Sequence, residues 1–189
     1  MSEDRPTEGS RRRARKLLAR SRFIHDRSGS TAVEFSLLAL PFALLVFAIF
    51  ESCISFAAQE VLANATDDIA RQVRTGQLRA ADLDGTKLRD MVCERLEVVV
   101  TSGCPGLAVD LRTVDTFQQA ASLGIPWNAS RTDIVEDFEV DPGPTLSKNV
   151  LRVFYRWPII TNFMAKSMAN LPDNNTLLFS MAAWQNEPF

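Results

Sequence analysis

Few residues in this 189-residue sequence could carry chemistry, and their scarcity is informative. Histidine occurs once, as His25, and cysteine three times, as Cys53, Cys93 and Cys104. A lone histidine near the start of the chain builds neither a Ser-His-Asp relay nor a histidine-rich metal centre in the body. Cys93 and Cys104 stand eleven positions apart, with no C-x-x-C pair and no nearby histidine, so metal binding is not expected. No G-x-S-x-G segment is present. Neither enzymatic activity nor a cofactor is expected. Carboxylates are plentiful, but Glu34 is out of place: it interrupts the apolar stretch STAVEFSLLALPF. An unpaired carboxylate in lipid is costly, so Glu34 needs either the headgroup boundary or a cation.

The elements that position Glu34 follow from how charge is spread. The formal net charge is −2, yet residues 1–29 hold nine Lys/Arg against four Asp/Glu, whereas residues 30–189 hold twelve against nineteen. A basic leader joined to an acidic body is not the balance of a nucleic-acid-binding protein, and no nucleic acid is expected as partner. From Phe35 to Phe50 the chain reads FSLLALPFALLVFAIF, sixteen residues without a charge. With the flanking weakly polar residues, roughly 25 helical residues could span a hydrocarbon core of about 30 Å. A helix packed on the core of a domain this small would be apolar on one face, and this run is apolar all round. The cations of the leader precede it immediately, the positive-inside pattern, which predicts a cytoplasmic N-terminus and a C-terminal domain outside. A secretory signal would need a small-x-small cleavage site, and residues 55–58 offer only a poor one.

The helical pattern continues beyond the span. Ile54, Ala58, Val61, Leu62, Ala65, Ile69 and Val73 recur at steps of three and four, one face of an amphipathic helix. Thr75-Gly76 supplies the stop, glycine being suited to the left-handed residue after a helix end. The spacing predicts one helix over about 30–75, greasy first and amphipathic later, with Pro41 loosening its membrane half. The expected organisation is a leader 1–29, a transmembrane helix 30–58, an amphipathic extension 59–76 and a periplasmic α+β domain 77–189.

At the leader junction the chain reads Arg27-Ser28-Gly29-Ser30-Thr31-Ala32-Val33-Glu34-Phe35. The spacing of Gly29, Glu34 and Phe35 resembles the processing site of type IV prepilins, and most closely the Tad (Flp) branch. Major Flp pilins usually carry Tyr after the glutamate; Phe35 suggests a minor pilin or pseudopilin. SGSTAVEFSLLALPF and the stretch Trp184-Gln185-Asn186-Glu187-Pro188-Phe189 resemble the TadE-like family, with Gln185 where Arg is usual. Arg74-Thr75-Gly76-Gln77 and Tyr155-Arg156-Trp157-Pro158 are similar to that family too. The resemblance implies a membrane-anchored pseudopilin that helps assemble Flp pili, which serve adhesion and biofilm formation. It implies cleavage by a prepilin peptidase between Gly29 and Ser30, and partners among the Tad pilins, pseudopilins and the inner-membrane platform. Cleavage would free the α-amine of Ser30, which Glu34, one helical turn further in, could neutralise in its own or a neighbouring subunit.

The outer domain reads as α+β. A helix is predicted near 86–96, with Leu88, Met91, Val92 and Leu96 on one side. Alternation predicts strands at Leu107–Arg112, more weakly at Ile134–Val140, and most clearly at Val150–Trp157. Thr176–Trp184, apolar on nearly both faces, predicts a central strand. Ile159, Phe163, Met164, Ser167 and Met168 predict a further helix, with the methionines in the core. The natural architecture is a long helix laid across an antiparallel sheet of three or four strands. On the oxidising side of the membrane a Cys93–Cys104 disulfide is permitted, with two buried thiols as the alternative. Cys53 reads as a small apolar packing residue.

The functional reading is a structural protein of the inner membrane. The alternative is a single-pass envelope protein whose periplasmic domain binds a ligand unrelated to pili, with Glu34 incidental. N-terminal processing separates the two.

Overall fold

In a computed structural model of the chain, residues 29–135 and 137–188 are described. The basic leader, and with it the arginine cluster and His25, lies outside the described residues. The backbone contacts divide the chain into one unit ending at Phe47 and a second unit, Ala48–Phe189.

Helix α1 covers Ser30–Arg74, 45 residues with Pro41 inside it. Within the first unit its apolar side chains are exposed on every side, Phe35, Leu38 and Phe42 among them. Ser36 donates its hydroxyl to the Ala32 carbonyl at 2.8 Å, so this polar side chain satisfies itself on the helix's own backbone. Within the second unit the same helix is one-sided. Its buried residues are Glu51, Ser55, Ala58, Leu62, Ala65, Thr66, Ile69, Ala70 and Val73. Burying Leu62 or Ile69, both at 0% exposure, contributes about 1.5–3 kcal/mol each. Ile54, expected on this face, is 52% exposed; Glu51 and Ser55 occupy the buried positions instead.

The helix ends in a Schellman motif. The Gly76 N–H bonds to the Val73 carbonyl at 3.1 Å and the Gln77 N–H to the Gln72 carbonyl at 3.0 Å. Gly76 has φ of 71°, the left-handed conformation that glycine adopts without a Cβ penalty. A short 3-10 turn, Ala80–Asp82, leads to α2, Gly85–Leu96, whose first turn is capped by Asp84 accepting from the Lys87 N–H at 2.7 Å. Leu88, Val92, Cys93 and Leu96 form its buried face.

Three antiparallel strands follow, β1 (Leu107–Val114), β2 (Lys148–Pro158) and β3 (Asn175–Gln185), in the order β1-β2-β3. Asp110 faces Arg152 across β1 and β2, and Phe154 faces Phe179 across β2 and β3. The β2 residues Leu151, Val153, Tyr155 and Trp157 enter the main core with α1 and α2. Its alternate residues Val150 and Phe154 enter two smaller clusters on the other side, built with Ala120, Ile134 and Leu171. Both faces of β2 are therefore covered, which its β-branched and aromatic composition suits.

The architecture is α+β with a small antiparallel sheet, as the alternation predicts, and four details differ. Residues Thr176–Trp184 belong to an edge strand, because β2 takes the middle of the sheet. Its second apolar face is matched by a covering loop rather than by a second neighbouring strand: Phe154 stacks between Phe138 and Phe179 with ring centroids 5.1 Å apart on each side. The Ile134–Val140 stretch forms no strand. It makes isolated bridges, Trp127 with Ile134 and Leu111 with Val140, and serves as that cover. A short helix α3, Phe117–Ser122, capped by Thr116 on the Gln119 N–H, escapes the periodicity because six residues do not repeat a pattern. Helix α4 is Asn162–Met168, leaving Ile159 outside it.

Candidate functional site

At the helix start, the Gly29 carbonyl accepts the Val33 N–H at 3.2 Å, so the peptide bond between Gly29 and Ser30 sits at the first hydrogen bond of α1. The Ser30 hydroxyl donates to Glu34 Oε1 at 3.0 Å. The side chains of Ser30 and Glu34 thus share one helix face, one turn apart. Glu34 and Phe35 are both exposed, Phe35 at 71%. A helix apolar on all sides with an exposed carboxylate near its start suits lipid or neighbouring helices rather than water.

In the second unit, the conspicuous polar group is Glu51, the first charge after the apolar run. Its carboxylate accepts from the Ile160 N–H, from the Thr161 N–H at 3.1 Å and from the Thr161 hydroxyl. It is buried, at 9% exposure. Three donors satisfy the charge and fasten the segment before α4 to α1. Beside it, Ser52 reaches Met168 Sδ at 3.9 Å, and Met164 and Met168 pack on the main core. Further along α1, Gln59 donates to the Phe179 carbonyl of β3 at 2.9 Å. Asp68 accepts from Arg71 at 3.1 Å and from Arg95 of α2, and these hydrogen bonds hold its carboxyl below the ordinary aspartate range.

The sheet carries a second buried charge cluster. Asp110, at 0% exposure, accepts from Arg152 Nε at 2.7 Å, from Arg112 and from the Glu139 N–H. Arg152 also donates to the Gly124 carbonyl at 2.9 Å and Arg112 to the Asp137 carbonyl at 2.9 Å. The cluster therefore pins the covering loop, 124–139, to the sheet. All its groups are paired, and it offers no open coordination or reacting position.

The C-terminal residues form a clasp. Asn186, at 2% exposure, accepts from Trp184 Nε1 at 2.9 Å and donates to the carbonyls of Pro142 and Pro144 at 3.0 Å each. Glu187 bonds back to the end of α1: its N–H reaches the Arg74 carbonyl at 2.9 Å and its carboxylate the Arg74 guanidinium at 3.0 Å. Two stretches singled out in the sequence thus meet in space, Arg74 from the first and Glu187 from the second. The Asp141-Pro-Gly-Pro turn closes the same corner, where a Cβ on Gly143 would collide with Ser147 and Thr113.

Cys93 and Cys104 are joined by a disulfide, Cα atoms 5.7 Å apart, tying α2 to the segment before β1. Glu97 lies within reach of both sulfurs, but with the thiols in a disulfide the group holds no thiolate for a metal. Cys53 is free and exposed, against the expectation of a packed residue, because it lies on the opposite side of α1 from Glu51 and Ser55.

Together these features define an α+β protein whose single candidate membrane span among the described residues is the apolar part of α1. Residues 29–71 match the family model described as TadE-like protein. The match starts at Gly29, covers α1 almost to its end, and is similarity to a pilus-related class of protein. No curated protein and no solved structure matches the chain.

Two structural anchors were not foreseen from the sequence. Glu51 had a signal, a charge at the close of an apolar run and in step with Ala58 and Leu62. Asp110 and Arg152 had a weaker one, opposite charges at alternating positions of two apolar strands.

Proposed function

We propose that the chain is a membrane-anchored pseudopilin that takes part in assembling Tad (Flp) type IV pili, and so supports adhesion and biofilm formation. The observation that carries this reading is the TadE-like match beginning at Gly29 and running along α1. In this reading a prepilin peptidase cuts between Gly29 and Ser30 on the cytoplasmic face of the inner membrane, removing the basic leader. The new α-amine of Ser30 meets Glu34, whose carboxylate already receives the Ser30 hydroxyl. That pairing neutralises two charges at the mouth of an apolar helix and lets α1 pack laterally with other pilins, pseudopilins and the assembly platform. Phe35 and the apolar side chains after it form the surface for that packing and for the bilayer.

The outer domain lies in the periplasm in this reading, where a disulfide such as Cys93–Cys104 persists. Its role is structural: it holds the periplasmic part of α1 on a sheet closed by the C-terminal clasp. The test is intact mass and N-terminal sequencing of the membrane-extracted protein. A mature chain starting at Ser30 is expected; a retained leader refutes the proposal. Glu34→Ala should leave the outer domain folded and weaken co-purification with other pilus components, and unchanged piliation would refute the pairing role.

A further inference from the structure

The segment between β2 and α4 shows its apolar side chains to solvent where the core offers no reason for it. Ile159 turns inward and is buried, while Ile160 is 87% exposed and Phe163, in the first turn of α4, is 69% exposed. The backbone of this segment is held in place: Glu51 accepts the N–H groups of both Ile160 and Thr161. Glu51 directly follows Phe50, the last residue of the uncharged run. The clamp therefore sets Ile160 and Phe163 at the level of α1 where its apolar run ends. On α1 itself, Phe50, Ile54 and Phe56 around that level are 61%, 52% and 71% exposed.

We propose that Ile160 and Phe163 make a second membrane contact, inserting at the boundary of headgroups and acyl chains so that the outer domain rests on the bilayer beside α1. The proposal rests on the reading of α1 as a membrane span, and extends that interface continuously onto the α4 segment. Three features fit a lipid surface. Ile160 projects from a backbone whose N–H, like that of Thr161, is already taken by Glu51, so approach to a low-dielectric region leaves neither donor stranded. Glu51 itself receives three hydrogen bonds, the condition in which a carboxylate tolerates the interface. Helix α4 carries one charge, Lys166, which is exposed and suited to anionic headgroups.

The test uses the full chain with Cys53→Ser and the Cys93–Cys104 disulfide intact. A single cysteine replaces Ile160, Phe163, Leu44 or the exposed Val98, and each is labelled with nitrobenzoxadiazole. The proteins are reconstituted into vesicles of phosphatidylethanolamine and phosphatidylglycerol, with nitroxide-labelled lipid or with iodide on both sides. Probes at Ile160 and Phe163 should lose most of their emission to the nitroxide lipid and little to iodide, with the Val98 probe behaving in the opposite way. Quenching of the Ile160 and Phe163 probes by iodide, while Leu44 is quenched by lipid, overturns the proposal and leaves the span standing. Protection from both quenchers means that protein covers the patch, and overturns it as well. Failure of the lipid to quench Leu44 refutes the span reading and the proposal together.

Discussion

Replacing Asn186 by alanine tests whether the C-terminal clasp holds the outer domain closed. The side chain is 2% exposed and bonds four partners: Trp184 Nε1, Ser147 Oγ and the carbonyls of Pro142 and Pro144. Not all of these are orphaned by its loss. The Pro144 carbonyl keeps the Ser147 hydroxyl at 2.7 Å, and Ser147 Oγ keeps Asn149 Nδ2 at 3.2 Å. The Pro142 carbonyl and the Trp184 indole lose the bond that Asn186 makes to each. An orphaned buried group costs about 1–3 kcal/mol, so the variant with two of them should lose roughly 2–6 kcal/mol. At about 2–4 °C per kcal/mol for a chain of this size, the unfolding midpoint should fall by roughly 4–24 °C. The assay is urea and thermal unfolding of the full chain in detergent, followed by tryptophan fluorescence. Asn186→Asp sharpens the test. It retains an acceptor for Trp184 but turns a carboxylate toward two carbonyls, so its folded-state pKa is raised and its stability is lost as pH rises above the carboxylate range. It should be less stable than the alanine variant at neutral pH and recover on acidification. An alanine variant no less stable than Gln185→Ala, at an exposed neighbouring position, refutes the clasp.

Arg152→Met leaves Asp110 buried with one partner fewer and should cost about 3–5 kcal/mol, whereas the double variant with Asp110→Asn should regain much of it; equal losses in denaturant titrations of both would refute the pairing. Asp68 is held below its ordinary value of 3.8, so its contribution to stability is complete above that value and is lost as pH falls through the lower folded-state pKa. Asp68→Asn should therefore flatten the acid limb of a stability–pH curve, and an unchanged limb would refute the assignment. Burial pushes the Tyr155 phenol above 10.0, so its stabilisation is complete below that value and is lost as pH rises through the folded-state pKa. Tyr155→Phe should shift the alkaline unfolding limb upward, which a pH titration by circular dichroism checks. Reduction of Cys93–Cys104 should lower stability by about 2–3 kcal/mol, the value of closing so short a loop, and should leave α1 helical.

Much of the fold was legible in the chain because local rules agree with the tertiary outcome. The steps of three and four from Ala58 to Val73 mark the face of α1 that meets the sheet, and Gly76 marks its end with the residue the Schellman geometry requires. The alternation of β2 separates Leu151, Val153 and Tyr155 from Val150 and Phe154, which enter different clusters. Strand order was not legible. Both β2 and β3 are apolar on two faces, and the same pattern arises whether a face meets a helix or a loop ring such as Phe138. The residues 134–140 look like a strand for the same reason, since alternation reports burial on one side and not hydrogen bonding to a neighbour.

The N-terminal site differs from the outer domain in what determines it. Gly29, Glu34, Phe35 and the uncharged run to Phe50 declare themselves in sequence, because an apolar run and a lone carboxylate within it are matters of local composition. Only the folded chain decides that Glu51 seizes the backbone before α4, that Asp110 meets Arg152 inside a strand pair, and that Asn186 and Glu187 return to Pro142 and Arg74. Each of these joins residues more than forty positions apart or turns on the register of two strands. Polar groups of that kind pair according to what burial leaves beside them, and that is fixed only when the core has closed.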